Sequence, residues 1–174
     1  MSVVADIMES YRRPRHVVRR LLDMGAREDR ALIILMGACI IVFVAQWPRL
    51  SREAHLQGSD LQMQLAATLF AWLFIMPLVL YGLGFLMYLV LRAMGGRGSG
   101  FDVRMALFWA LLASTPLILL SGLVAGFVGP GAGLNLVGVI WLVCFLWFFL
   151  SGMREAWAGG AGGTGEAGES GGRA

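Results

Sequence analysis

The chain has 174 residues, of which 58% are hydrophobic and 14% charged, with a mean hydropathy of +0.73. A soluble domain of this length carries about a quarter charged residues and fewer than half apolar ones, so a soluble globular fold is excluded. The net charge of +3 rests on Arg alone, there being no Lys; half of the arginines precede the first apolar block and alternate with acids, which is no basic stripe with stacking aromatics and excludes a nucleic-acid binder.

The amino-terminal stretch reads as two short amphipathic segments. Val3, Val4, Ile7, Met8 and Tyr11 fall on one helical face with Asp6, Glu9 and Ser10 opposite, and Pro14 interrupts. The pattern resumes with Val17, Val18, Leu21 and Leu22 on one side and Arg15, His16, Arg19, Arg20 and Asp23 on the other, ending at Gly25. Residues 1–25 are therefore expected at the membrane interface, with Arg12, Arg13, Arg15, Arg19 and Arg20 reaching anionic lipid headgroups; packing on the protein's own loops is the rival reading. The stretch lacks the apolar run and small-residue cleavage site of a secretory signal.

Four apolar blocks follow, making residues 26–157 a transmembrane domain. Ala31–Trp47 is the first, closed by Pro48, which should end the helix. Leu61–Leu91 is the second, opened by a Ser59/Gln62 capping pattern and carrying Pro77. Met105–Val128 is the third, with Asp102 placed to cap or complement its start and Pro116 in its interior. Leu134–Gly152 is the fourth, with Asn135 expected to cap it. At 1.5 Å per residue these blocks measure roughly 25 to 45 Å against a hydrocarbon core of about 30 Å. Pro77 and Pro116 are expected kinks, with Ser114 and Thr115 placed to satisfy the backbone groups freed at the second. The Gly-rich tail, residues 158–174, cannot bury apolar surface and should be disordered. The run Gly95-Gly96-Arg97-Gly98-Ser99-Gly100 has neither a preceding strand nor a following Lys and reads as a turn rather than a phosphate loop.

Orientation follows from the arginines in the loops. With the amino terminus inside, twelve fall on the cytoplasmic side and two outside, so both termini are expected in the cytoplasm. Trp47, Tyr88, Trp109 and Trp157 lie near span ends, where interfacial aromatics belong.

Small residues recur along the third span at Ala106, Ala110, Ser114, Gly122 and Gly126, the last two forming a GxxxG. Such a stripe lets another helix approach closely. Gly82 and Gly84 offer a matching surface within the bundle, with dimerisation as the alternative. No Asp, Glu, Lys, Arg or His lies inside a span away from its ends, and pumps and proton-coupled transporters place such residues there. His16 and His55 fall on opposite sides of the membrane, and Cys39 and Cys144 stand alone in apolar blocks as small packing residues. No catalytic constellation, metal site or cofactor is expected.

The run from Gly95 to Ala156 resembles the Yip domain family of Ypt/Rab-interacting multi-span membrane proteins, in its bacterial branch. The resemblance rests on GGRGSGF (Gly95 to Phe101), Ser114-Thr115-Pro116 within a span, a Gly/Pro turn, Gly-Val-Ile-Trp (Gly138 to Trp141) and Gly-Met-Arg-Glu-Ala (Gly152 to Ala156). It implies a multi-span bundle with a cytoplasmic amino terminus. The all-Arg, Ala- and Gly-rich composition suits a GC-rich bacterial genome, placing the protein in the bacterial inner membrane. The expectation is an all-α polytopic bundle, not an enzyme, that organises membrane or scaffolds other membrane proteins. Its partners would be lipids and a second copy or another membrane protein. The alternatives are an accessory subunit of a larger membrane complex and a transporter or channel for an uncharged solute.

Overall fold

The computed structural model describes residues 7–9, 11, 14–23, 28–96 and 98–159. Among the described residues the secondary structure is all helical, and the helices assemble as a polytopic membrane bundle. Helix α1 is Pro14–Asp23 and α2 is Glu28–Gln57. Helix α3, Leu61–Phe70, runs through a π-helical turn, Ala71–Ile75, into α4, Met76–Ala93. Helices α5 (Gly100–Ala113) and α6 (Thr115–Phe127) are followed by α7 (Ala132–Gly159). Three helical stretches are long and apolar enough to cross a membrane: α2, α3–α4 and α7. The pair α5–α6, bent by 43°, passes the same length and composition test only when taken together, which brings the total to three spans or, with the bent pair counted as one, four.

Helix α5 is the centre of the bundle. Every residue from Met105 to Ala113 is buried, because α1, α2, α4 and α7 all pack around it. Helix α6 leaves that centre at the bend and lies along α2, the most extensive pairing in the molecule. The α3–α4 span stands at the periphery: 11% of its most apolar stretch is buried inside the protein, against 33% for α2.

Several elements differ from the sequence reading, each for a local reason. Pro48 does not end α2, which continues to Gln57. A proline forfeits one backbone bond, and the turns beyond it are held by the buried Leu50 and Ala54 and by the Arg49–Glu53 pair one turn apart, 3.5 Å. The cap of α3 is Asp60, whose side chain accepts from the Gln62 N–H, while Ser59 Oγ accepts from Gln64 Nε2. Helix α5 starts at Gly100, a turn before Met105, on a capping box in which Ser99 and Asp102 exchange side-chain and backbone bonds. Helix α7 starts at Ala132, so Asn135 lies within its first turn and not at its cap. Trp109 is 3% exposed and sits in the core, not at an interface, since α5 presents no outer face there.

The amino-terminal segment also departs from expectation. Val17 and Val18 are fully buried and Leu21 nearly so, with α1 packed against α7 and α5. Val17, Val18 and Leu21 of its apolar face thus pack on protein, with Val18 over Gly152 beside Ala106, while Met8 and Tyr11 of the preceding apolar face stay exposed. Residues 1–6, 10, 12–13, 24–27, 97 and 160–174, and with them most of the Gly-rich tail, lie outside the described residues.

Candidate functional site

The bend between α5 and α6 concentrates the polar chemistry of the bundle interior. Pro116 has no N–H to offer the carbonyl of Leu112, four residues back. The Thr115 hydroxyl donates to that carbonyl instead, at 2.7 Å. The Ser114 hydroxyl donates to Leu111 O at 2.9 Å and accepts from Trp141 Nε1 of α7 at 3.2 Å. Both hydroxyl residues are essentially inaccessible. The N–H of Leu117, which a continuous helix would aim at Ala113 O, turns to the carbonyl of Ser114 at 3.1 Å. Ala113 O accepts from the hydroxyl of Tyr11, 3.3 Å away and 102 residues distant in sequence. The Tyr11 ring stands edge-on to Phe148 of α7, centroids 5.1 Å apart. Three carbonyls at the break are therefore satisfied by three hydroxyls, two of them fully buried and the third, Tyr11, partly exposed at the edge of the bundle.

The other proline is handled differently. Ahead of Pro77 the helix widens to a π turn, in which Met76 N–H reaches Ala71 O; the extra residue gives the ring room without a side-chain hydroxyl.

Two glycines of the small-residue stripe form the seam between α6 and α2. A Cβ on Gly122 would strike the backbone carbonyl of Ala45, and one on Gly126 would strike Pro48. The seam's partner is thus the first span and not Gly82 or Gly84: Gly82 faces open space, and Gly84 accommodates the Arg104 side chain. Ala106 meets Gly152 of α7, and Ala110 and Ala113 pack with Phe148. The bend thus divides one stripe between two neighbours, with Ser114 at the division.

Charged groups tie the two ends. Where α2 begins, Arg104 pairs with Glu28 and lies 5.9 Å from the centre of the Tyr81 ring, joining α5 to α2 and α4. At the opposite end Arg52 Nη1 donates to Gly126 O at 3.2 Å, satisfying a terminal carbonyl of α6. Beside it Gly129 has φ of +90° and leaves space that the Arg52 guanidinium occupies. There too, Trp47, Pro48, Ser51, Leu61 and Leu65 line a groove of about 370 Å³. Of the arginines assigned to headgroups, Arg19 is exposed and Arg20 stands 3.9 Å from Glu9. Arg12 and Arg13 lie outside the described residues, as does the Arg15 side chain. Cys39 and Cys144 are free thiols. Among the described residues no three His, Cys, Asp or Glu side chains gather as a metal site would require.

Sequence reasoning missed Tyr11 and Trp141 as partners of the bend, and Arg52 as the cap of α6. Their hydrogen bonds cross 102, 27 and 74 residues, a separation at which helical periodicity carries no signal.

The Yip1 domain family model matches residues 8–161. The chain belongs to the Yip1 domain family. The match extends over the whole bundle and begins at Met8, so Tyr11 and α1 are part of the domain and not an appendage to it. No curated protein and no solved structure matches the chain. As a Yip1-domain chain with three or four spanning helices, it is a multi-pass membrane protein.

Proposed function

We propose that this protein is a non-enzymatic component of the bacterial inner membrane that organises the bilayer or scaffolds other membrane proteins. The observation that carries this reading is the unequal burial of its spans. The α3–α4 span turns most of its apolar surface outward, with Phe70, Phe74, Leu78 and Phe85 each at least half exposed. A span contributing so little to its own core presents a lateral face for lipid or for another helix. The buried polar groups at the bend are spent on backbone carbonyls, and none of them is an acid, base or metal ligand. The arginine bias of the loops supports both termini in the cytoplasm.

The test is extraction in mild detergent, with cross-linkers placed along Leu78 and Phe85, followed by native sizing and identification of the adducts. The expected result is adducts with several membrane proteins, or with a second copy, in particles well above the 18.9 kDa of the chain. Migration with one large partner would establish an accessory subunit instead. A bare monomer with lipid-only adducts would refute scaffolding.

A further inference from the structure

We infer that the amino-terminal segment is a latch that sets the bend of the α5–α6 span. Of the three carbonyls at the break, two are satisfied by Ser114 and Thr115, hydroxyls carried by the bending chain itself. The third, Ala113 O, depends on Tyr11. A carbonyl left without a donor in an apolar setting is costly, so the bent geometry holds its full advantage only while Tyr11 is seated. What seats it is the docking of the described residues on either side of it. Val17 and Val18 are buried against the bundle, Val18 lies over Gly152, Ile7 packs against the same core, and Glu9 stands 3.9 Å from Arg20.

The coupling is reciprocal by linkage. Straightening the span would return the Leu117 N–H to Ala113 O and remove the acceptor on which Tyr11 docks. The polar face of the same segment carries the exposed Arg19 and the half-buried Arg20. Whatever draws on that face therefore biases the geometry of a span whose far half is seamed to α2.

Tyr11→Phe tests this, because it keeps the ring against Phe148 and removes only the hydroxyl. Spin labels at Met94→Cys, in the turn that precedes α5, and Phe127→Cys, at the end of α6, both exposed, report the separation of the two ends of the α5–α6 pair. They would be placed in full-length protein with Cys39→Ala and Cys144→Ala, in phosphatidylcholine nanodiscs, and read by pulsed electron resonance. Straightening two helices of this length from a 43° bend lengthens the span by about 3 Å. The expected result is a longer component in Tyr11→Phe, raised roughly tenfold over the parent for one hydrogen bond lost in an apolar setting. Identical distance distributions in the two proteins would overturn the latch. Should Tyr11→Phe not fold, Phe148→Leu replaces it. That change removes the edge contact that aims the phenol and should produce the same longer component; an unchanged distribution there would overturn the proposal equally.

Discussion

Glycine positions show how finely close approach is specified at single residues. Gly122 and Gly138 both lie in apolar helices, yet a Cβ on the first would strike the Ala45 carbonyl while one on the second meets nothing within 4 Å. Gly122→Ala should therefore destabilise the fold by about 2 kcal/mol through forced separation of α6 from α2. Gly138→Ala should leave stability unchanged or raise it by up to about 1 kcal/mol, since alanine is the better helix former. Unfolding in mixed detergent followed by circular dichroism measures both, and equal effects would contradict the seam. Thr115→Val keeps the shape and removes the donor to Leu112 O, so a loss of about 1 kcal/mol is expected in the same assay. Burial, and secondarily the Cys144 thiol, pushes the Tyr11 phenol above its ordinary value of 10.0. A raised phenol pKa means that the folded state holds the proton more tightly. The contribution of Tyr11 is then full below about pH 10 and falls as pH rises through the raised value. Ultraviolet titration against Tyr11→Phe should place the Tyr11 midpoint above 10.

At the scale of elements, prolines mark irregularities whose form the neighbours decide. Pro48 sits within a continuing helix, Pro77 follows a π turn, and Pro116 follows a bend. The three sites differ in what lies beside them: buried apolar turns beyond Pro48, no local hydroxyl donor at Pro77, and the Ser-Thr pair at Pro116. Arg52 is the clearest case of one element completing another. Arg52→Ala should fray the last turn of α6, lowering stability by about 1 kcal/mol and speeding hydrogen exchange at residues 124–128. Exchange there at the parent rate would remove Arg52 from that role. The Glu28–Arg104 pair is partly solvent-exposed, at 55% and 23% for its two side chains, so Glu28→Gln should cost no more than about 1 kcal/mol despite its place between helices.

Across the whole molecule, the amino-terminal segment closes the bundle around α5, and a peripheral span faces outward. Removing residues 1–23 should expose Ala106, Ala110 and Ala113 along α5 and lower the unfolding midpoint. Removing only residues 160–174, which the family match leaves almost wholly outside, should not. The proposed topology, which the arginine bias supports, puts a reporter fused after Ala174 in the cytoplasm; a periplasmic signal would overturn it.

Membrane residence, helical class and the small-residue stripe were legible in the sequence because each is written in composition or in a local period. Apolar runs long enough to cross hydrocarbon have no other stable use, and glycine at a four-residue spacing lies on one helix face wherever it occurs. The partners of those faces were not legible. Gly122 meets Ala45 and not Gly82, α1 turns its valines to α5 and α7, and Tyr11 reaches Ala113. Those choices depend on which helix ends up beside which, and on which backbone groups the bend leaves without a donor. Both are settled only when all the helices are assembled, since a carbonyl in an apolar interior takes whichever donor the packing brings within reach.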